Sequence, residues 1–179
     1  MAKIKILVTG AGGFIGRAFI ESLSRDRFDI FALDIKKSRY ADPRVKKFYR
    51  QDITKPFRLE GSFDFVFHLA AYNVTHVGKK DPVSYGRVNV KGTRHIIESA
   101  PAKNFILMST AKVYRCEGKP IHEMSPLGPE NDYEKSKLEA EMVCRKYIPR
   151  DQLTIFRPVN IVARARQIKP FFPYCFEKP

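Results

Sequence analysis

Strand-like and helix-like segments alternate along this chain of 179 residues, and that alternation constrains the fold more than any other feature. Short apolar runs rich in branched residues predict strands, and apolar residues at helical intervals predict helices. Strands that are joined through helices pair in parallel, with right-handed crossovers. The sequence therefore predicts an α/β fold, a doubly wound parallel sheet of about six strands with helices on both faces. The predicted strands span residues 3–9, 29–33, 45–53, 63–67, 104–108 and 152–156, and the predicted helices start near residue 13 and span 81–100 and 133–147.

Apolar periodicity also predicts which side of each helix packs on the sheet. The first helix would use Phe14, Ile15, Ala18, Phe19 and Leu23. The second would use Val83, Val88, Ile96 and Ile97.

Glycines at positions 10, 13 and 16 stand directly between the first predicted strand and the first helix. Gly10 permits a tight turn, Gly13 lets the backbone approach a pyrophosphate, and Gly16 allows close packing of helix and strand. The start of the following helix would present free amides to the anion. In this context the glycines predict a dinucleotide-binding turn of the Rossmann type.

Acidic residues at two strand ends suit the adenosine half of such a ligand. Asp34 ends the second strand and can accept both ribose hydroxyls, which favours NAD because a 2′-phosphate would meet its negative charge. Lys36, Lys37 and Arg39 follow closely and could screen a phosphate, so NADP is the less favoured alternative. Asp52 either meets the adenine edge or caps its own loop.

Tyr133 and Lys137 lie four residues apart in a predicted helix, so they share one face. A phenol titrates near ~10 when unperturbed, and a fixed positive charge beside it favours the phenolate. The pair therefore indicates an acid/base for proton transfer. On a helix rich in Lys and Glu, the same spacing also arises on a solvated face.

Composition narrows the function classes. With 44% apolar residues the chain suits one globular domain, and no apolar run is long enough to span a bilayer, so we expect a cytoplasmic protein. Cys116, Cys144 and Cys175 have no metal-ligand spacing, and we expect no metal site. The net charge of +14, partly concentrated in residues 36–50, fits an anionic partner or simple solubility. Without an aromatic stacking platform, we expect no specific nucleic-acid binding.

Six motifs in order resemble the extended short-chain dehydrogenases/reductases, in particular the NAD-dependent epimerase/dehydratase family that acts on nucleotide sugars. The resemblance covers residues 3–162. The motifs are Thr9-Gly-Ala-Gly-Gly-Phe-Ile-Gly16, His68-Leu-Ala-Ala71, Asn89-Val-Lys-Gly-Thr93, Ser109-Thr-Ala-Lys-Val-Tyr114, Tyr133-Glu-Lys-Ser-Lys137 and Arg157-Pro-Val-Asn160.

The resemblance implies roles for individual residues. Tyr133 would be the catalytic acid/base, Lys137 would hold the nicotinamide ribose and lower the pKa of Tyr133, and Thr110 would bind the substrate oxygen, with Ser109 as its rival. Asn89 would stabilise neighbouring helix and strand ends, and His68 is expected to be a satisfied core histidine. The implied cofactor-binding set is Gly10, Gly12, Gly13, Phe14, Ile15, Gly16, Asp34, Ile35, Asp52, Ile53, Leu69, Ala70, Ala71, Asn89, Ser109, Tyr133 and Lys137.

The reaction that the resemblance implies is hydride transfer between a sugar carbon of a nucleotide-diphosphate sugar and NAD, coupled to proton transfer through Tyr133. Dehydratases of the family usually carry an Asp-Glu pair directly after the catalytic Thr. Ala111 and Lys112 occupy those positions, so 4,6-dehydration is disfavoured and an epimerase or related oxidoreductase is expected.

The sequence departs from the family after the sixth strand. Residues 1–162 are expected to form the NAD(P)-binding domain and residues 163–179 an irregular tail, with the usual substrate domain absent or truncated. Four tail aromatics, Phe171, Phe172, Tyr174 and Phe176, would form an apolar patch that favours a partner. The resemblance also implies a homodimer through the helices at 81–100 and 133–147. The alternative function is a non-catalytic NAD-binding module that senses or scaffolds.

Overall fold

A computed structural model of the protein describes residues 2–36, 42–73, 82–115, 118, 120–159 and 161. These residues form a six-stranded sheet in which every strand pair is parallel, as the alternation predicted. The strands are β1 (Ile4–Thr9), β2 (Phe28–Asp34), β3 (Val45–Arg50), β4 (Phe63–His68), β5 (Ala102–Met108) and β6 (Leu153–Phe156). The α-helices are α1 (Phe14–Ser22), α2 (Pro82–Tyr85), α3 (Gly92–Ser99) and α4 (Asp132–Tyr147). A π-helix (Gly86–Lys91) joins α2 to α3, and short 3₁₀ turns occupy Ala111–Val113 and Arg150–Gln152.

The strand order is β3-β2-β1-β4-β5-β6, so the direction of winding reverses between β1 and β4. In doubly wound sheets, ligands bind outside the carboxyl ends of the strands at this reversal. The turn after β1 and the turn after β4 are therefore the first places to look for a site.

The sheet is covered on both faces, because alternate residues of each strand point to opposite sides. On one side Leu7 of β1 belongs to a core that includes Ile96 of α3 and Ala140 of α4. On the other side Val8 belongs to a core that includes Ile20 of α1. This arrangement confirms the predicted doubly wound fold with helices on both faces.

The packing face predicted for the first helix was partly wrong. Phe14 is 39% exposed and Ala18 is exposed, whereas Gly16 and Ile20 are the buried positions of α1. The close approach of Gly16 to the preceding turn fixes the rotation of the helix, so the stripe that starts at Gly16 faces the sheet. The apolar count alone could not reveal that constraint.

Two element boundaries also differ from the prediction. The helix predicted at 81–100 is described from Pro82 and is divided by the π-helix, and Val83 in its first turn is 65% exposed rather than packed. Strand β3 ends at Arg50 instead of continuing to residue 53. Asp52 leaves the strand there because its carboxylate binds the backbone of Thr54.

Several predictions fall outside the described residues. They concern Lys37 and Arg39 in the basic segment, Asn160 in the sixth motif, and the tail at 163–179 with its aromatic residues. Within the part of the chain that is described, no helix has the length and apolar character needed to cross a membrane.

Candidate cofactor-binding and catalytic site

The glycine turn sits at the reversal point, pressed against the end of β4. Gly10 has φ +67°, and a Cβ atom there would lie 2.7 Å from the backbone nitrogen of Ala70. A Cβ on Gly16 would lie 2.3 Å from the carbonyl oxygen of Gly10 and 2.8 Å from the Cα of Ala11. Gly13 donates its backbone N–H to Gly10 O over 3.0 Å. Only residues without side chains at positions 10 and 16 permit this compact turn.

The turn leaves backbone donors open at the start of α1. Gly13 is the N-cap residue, and no side chain caps the helix. The first amides of an α-helix have no partner within the helix, so they remain available to an anion. These open amides fit the pyrophosphate of a dinucleotide.

Asp34 closes the same turn from the end of β2. Its Oδ2 accepts a hydrogen bond of 2.9 Å from Gly12 N, and its Oδ1 accepts one of 3.2 Å from Lys36 N. The carboxylate is thus fixed beside the glycine turn with its charge unpaired by any ion pair to the described residues. This position suits hydrogen bonds to ribose hydroxyls.

Asp52 and Ile53 make local contacts of their own. Asp52 Oδ1 accepts from both Thr54 N (2.9 Å) and Thr54 Oγ1 (2.7 Å), and the pKa of Asp52 is lowered, first by these hydrogen bonds. The loop-capping role predicted as one alternative for Asp52 therefore involves one of its two carboxylate oxygens, Oδ1. Ile53 is buried against Gly92, where an added Cβ would lie 2.8 Å from Ile53 Cδ1.

The remaining predicted cofactor residues follow strand ends at the same edge of the sheet. Phe14 and the half-buried Ile15 open α1, the exposed Ile35 follows β2, and Leu69 and Ala71 follow β4.

His68, the last residue of β4, is a fully buried core histidine, as predicted. Its Nδ1 pairs with Thr9 Oγ1 at 2.7 Å, and its Nε2 pairs with Thr93 Oγ1 at 2.9 Å. Thr93 Oγ1 donates to Asn89 O, and Thr9 Oγ1 accepts from Ala70 N. These partners assign the proton to Nε2 and leave Nδ1 as an acceptor. Burial, and then the charge of Lys137, lowers the pKa of His68 to about 3, so the ring is neutral.

Asn89 joins three parts of the site from inside the π-helix. Its Oδ1 accepts from Tyr72 N (2.7 Å), and its Nδ2 donates to Tyr72 O (3.1 Å) and to Ser136 Oγ (2.9 Å). Ser136 Oγ in turn donates to Tyr133 O over 2.7 Å. Asn89 is 1% exposed, and three of the four hydrogen-bonding positions of its side chain are occupied. The side chain therefore stabilises the surrounding backbone. Sequence reasoning anticipated that role but not the partners Tyr72 and Ser136.

Helix α4 begins just before Tyr133 because the chain carries a capping box. Asn131 Oδ1 accepts from Glu134 N over 3.0 Å, and Glu134 Oε2 accepts from Asn131 N over 3.3 Å. The Asn-x-x-Glu spacing was a readable signal for this helix start. The ring of Tyr133 packs against that of Tyr85 with 6.0 Å between the ring centroids. The Tyr85 ring contacts the Tyr72 ring edge-on, with 5.1 Å between the centroids.

The electrostatics of Tyr133 differ from the prediction. Its pKa is raised, first by burial and then by Tyr85 and Glu134, whereas Lys137 was expected to lower it. The physical reason is that burial dominates at this position and favours the neutral phenol. The phenol is therefore protonated at neutral pH.

Lys137 follows Tyr133 by one turn and is 3% exposed. No ion pair or hydrogen bond links its ammonium to the described residues. Burial lowers its pKa to about 8, although Cys144 and Glu141 act in the opposite direction. A buried ammonium without a counter-ion is costly unless a ligand contacts it.

The two hydroxyl candidates after β5 have different partners. Ser109 donates to Glu141 Oε1 over 2.5 Å, so its proton is already engaged. Thr110 accepts from Lys112 N over 3.3 Å, and its hydroxyl proton has no acceptor among the described residues. Both side chains are buried, at 4% and 6% exposure. Thr110 is thus the better placed of the two to donate to a substrate oxygen.

Glu141 and Arg157 are neighbours of the site to which the sequence analysis assigned no role. Arg157 Nη2 pairs with Glu141 Oε2 at 2.5 Å, and Arg157 Nη1 donates to Tyr114 Oη at 2.6 Å. The signal available was a carboxylate one turn after Lys137 on the face of α4 that faces the core. No group of three or more His, Cys, Asp or Glu side chains in the described part of the chain is arranged to hold a metal ion.

Comparison with known proteins identifies the family of this chain. The model of the NAD dependent epimerase/dehydratase family matches residues 6–174. Because that match covers most of the chain, the protein belongs to this family.

Its relatives include enzymes of nucleotide-sugar metabolism. GDP-6-deoxy-D-talose 4-dehydrogenase of Aggregatibacter actinomycetemcomitans is 30% identical over 95% of this chain and 57% of the relative. UDP-glucose 4-epimerase of Lactobacillus helveticus is 31% identical over 78% of this chain and 46% of the relative. The chain therefore spans about half the length of these curated relatives.

Among solved structures, UDP-glucuronic acid 4-epimerase of Bacillus cereus, in complex with UDP-glucuronic acid and NAD, matches with a TM-score of 0.69. The two proteins are 26% identical, and the match covers 86% of this chain and 56% of the solved one.

Proposed function

We propose that this chain supplies the NAD site and the acid/base residues of a nucleotide-sugar epimerase or a related oxidoreductase. One observation carries the proposal: Lys137 is 3% exposed, yet its ammonium forms no ion pair or hydrogen bond with the described residues, and it lies one helical turn after a partly buried Tyr133. A merely structural lysine would reach solvent or a carboxylate. A ligand hydroxyl that accepts from this ammonium would account for its position.

The residues at the reversal point fit NAD as the cofactor. The turn at Gly10, Gly13 and Gly16 would hold the pyrophosphate, and Asp34 would accept hydrogen bonds from the adenosine ribose. The same carboxylate would repel the 2′-phosphate of NADP. The chemistry that NAD supplies when bound is the acceptance and return of a hydride.

Three side chains would manage the proton that accompanies the hydride. Thr110 would donate a hydrogen bond to the reacting sugar oxygen and fix its distance from Tyr133. Tyr133, as the phenolate, would accept the proton of the sugar hydroxyl when the hydride leaves, and as the phenol it would give the proton back when the hydride returns. Lys137 would bind the nicotinamide ribose, and its positive charge would favour the phenolate when the proton leaves.

The turn after Thr110 favours epimerisation or simple oxidation over 4,6-dehydration. Ala111 and Lys112 form the first part of a 3₁₀ turn and provide no carboxylate for removing a proton from the neighbouring carbon. A reaction that only removes and returns hydride requires no such group.

A second copy of this chain is the proposed partner. The helices α2 and α4 pack together along one side of the sheet, yet Val83 and Met142 on them are 65% and 63% exposed. Large apolar side chains at this exposure suit a helix-to-helix contact between two subunits. Sedimentation that shows only monomers at high concentration would contradict this part of the proposal.

Isothermal titration tests the function directly. NAD is titrated first, and UDP- and dTDP-sugars are then titrated into the NAD complex, with NADP as the matched comparison for Asp34. The proposal expects NAD to bind more tightly than NADP and sugar nucleotides to bind and turn over. Tight NAD binding without sugar-nucleotide affinity would instead favour a non-catalytic NAD-binding module. Failure to bind NAD would contradict both.

A further inference from the structure

An ion pair between Glu141 and Arg157 lies next to the proposed catalytic residues. Glu141 is 1% exposed, and both oxygens of its carboxylate are occupied. Oε1 accepts from Ser109 Oγ (2.5 Å) and from Arg157 Nε (2.9 Å), and Oε2 accepts from Arg157 Nη2 (2.5 Å). This forked arrangement is the strong form of a charge-assisted hydrogen bond.

The ion pair ties together the ends of two strands and one helix. Ser109 follows β5, Arg157 follows β6, and Glu141 lies in α4. The backbone reinforces the link, because Ser109 N donates to Phe156 O (2.7 Å) and Ala111 N donates to Pro158 O (2.9 Å). Thr110 lies between these two anchored positions and directly follows Ser109, whose side chain donates to Glu141.

The same carboxylate also lies on the stripe of α4 that carries the acid/base pair. Tyr133, Lys137 and Glu141 follow one another at four-residue intervals, and residues at this spacing are neighbours on a helix surface. Glu141 acts on Lys137 electrostatically, raising the pKa of the ammonium against the effect of burial. The carboxylate thus helps to keep the lysine charged.

We propose that Glu141, held by Arg157 and Ser109, is a positioning residue that fixes Thr110 against α4 and maintains the charge of Lys137. The inference rests on the proposed function for the meaning of those two residues, but the contacts themselves do not depend on it. Glu141 is 1% exposed and both of its carboxylate oxygens already accept hydrogen bonds, so it acts through its neighbours and not on substrate.

Other groups near Lys137 do not replace Glu141. Cys144, further along α4, is buried with its pKa raised to about 12, so it stays a neutral thiol. His68, on β4, is neutral at the same pH. Tyr133 is protonated at neutral pH. Of the two groups that oppose the effect of burial on Lys137, Glu141 is therefore the one that carries a negative charge at neutral pH.

The experiment isolates the titration of Lys137 by double-mutant cycles. The free energy of unfolding is measured in urea from about pH 6 to 10.5 for the wild type, Lys137→Met, Glu141→Gln and the double variant. The difference between each protein and its Lys137→Met counterpart gives the contribution of Lys137 alone. Glu139→Gln, at an exposed position of the same helix, is the matched control and receives the same cycle.

The wild-type contribution should begin to change near pH 8, where the folded lysine titrates. In Glu141→Gln this onset should move down by about 0.5 pH unit or more, because the favourable charge is lost. In Glu139→Gln it should stay in place. An unchanged onset in Glu141→Gln would overturn the inference.

Removing the charge of Glu141 alone leaves Arg157 as a partly buried cation without its counter-ion, and that variant can fail to fold. Glu141→Gln combined with Arg157→Met removes both charges and keeps the cycle measurable. The onset should still move down, but by less than in Glu141→Gln, because removal of the positive charge of Arg157 acts in the opposite direction. An onset that stays at the wild-type pH in this pair would also overturn the inference.

The outcome is separate from that of the proposed function. If the wild type binds no NAD but the onset moves, the role of Glu141 stands and the proposed function falls. If NAD binds and sugar nucleotides are turned over but the onset does not move, the proposed function stands and the role of Glu141 falls. Where turnover exists, Glu141→Gln should lower kcat by about tenfold or more through misplacement of Thr110, with Glu139→Gln unchanged.

Discussion

Asn89 donates a hydrogen bond of 2.9 Å to Ser136, and this contact ties the π-helix to the turn of α4 that carries Tyr133. Because the side chain of Asn89 also serves the backbone N–H and C=O of Tyr72, one buried amide holds both the loop after β4 and the helix.

Replacing Asn89 by Leu should therefore lower the free energy of unfolding by about 3 kcal/mol, since several buried polar groups lose their partner. Ser136→Ala removes only one of these bonds and should cost about 1 kcal/mol. Urea unfolding of both variants measures the difference. Equal losses in the two variants would mean that the contacts to Tyr72 contribute nothing.

Gly10 should tolerate no side chain, for two separate reasons. Its φ is +67°, and an added Cβ would meet the Ala70 nitrogen at 2.7 Å. Gly61 is the matched control, because its φ is +82° but nothing lies within 4 Å of an added Cβ. Gly61→Ala should cost about 1 kcal/mol from the backbone conformation alone, and Gly10→Ala clearly more than that.

Cofactor titration adds a second measurement on this pair. Gly10→Ala should weaken NAD binding because the turn must move away from β4, whereas Gly61→Ala should leave it unchanged. Similar stability losses in both variants would show that the turn yields easily, contrary to its close contact with Ala70.

Much of the fold could be read from the sequence because each element carries a local signal. The glycine spacing predicted the geometry of the turn, because a compact strand-to-helix turn of this kind has no room for side chains at positions 10 and 16. The strand at 45–53 was predicted three residues too long, because the Asp52 turn depends on a contact with Thr54 that alternation of apolar residues does not report.

The site was harder to predict where burial decides the chemistry. The spacing of Tyr133 and Lys137 placed them on one face, but it could not show that burial raises the pKa of the phenol and lowers that of the ammonium. Likewise Glu141 resembles a solvent-facing residue on a charged helix until the approach of Arg157 from β6 is known. Both facts depend on contacts between residues far apart in sequence.

Acid should destabilise the fold through His68. Its folded pKa is lowered to about 3 from 6.5, so its contribution is fully present above pH 6.5 and is lost as the pH falls toward 3. Each pH unit in this window should cost up to about 1.4 kcal/mol. His68→Gln keeps one donor and one acceptor, so its unfolding free energy should fall less steeply. The exposed His122→Gln should follow the wild type, and identical slopes for His68→Gln and the wild type would contradict the assignment.

Tyr133→Phe should abolish hydride transfer between a bound sugar nucleotide and NAD while leaving NAD affinity nearly unchanged, because the phenol serves chemistry more than binding. Single-turnover absorbance of the reduced cofactor measures the first effect, and isothermal titration the second. Tyr147→Phe, at an exposed position of the same helix, is the control that should retain full turnover. Unaltered turnover in Tyr133→Phe would remove it from the mechanism.

Lys137→Met should stabilise the fold at neutral pH while impairing function. The folded pKa of Lys137 is lowered to about 8 from 10.5, so the charged lysine is less favourable in the folded chain than in the unfolded one. That cost is fully present below pH 8 and disappears as the pH rises through 8 toward 10.5. Methionine has a similar length and no charge, so the gain should reach about 1 to 3 kcal/mol at pH 7 and shrink above pH 8.

Urea unfolding at pH 7 and pH 10 measures this gain, and Lys135→Met at an exposed position of α4 is the control that should change little. If Lys137 is retained because it contacts the nicotinamide ribose, the stabilised variant should also bind NAD more weakly than the wild type. A Lys137→Met variant that is less stable at pH 7 would mean that the ammonium has a favourable partner in the folded chain. The cost of burying Lys137 would then give no reason to place a ligand beside it.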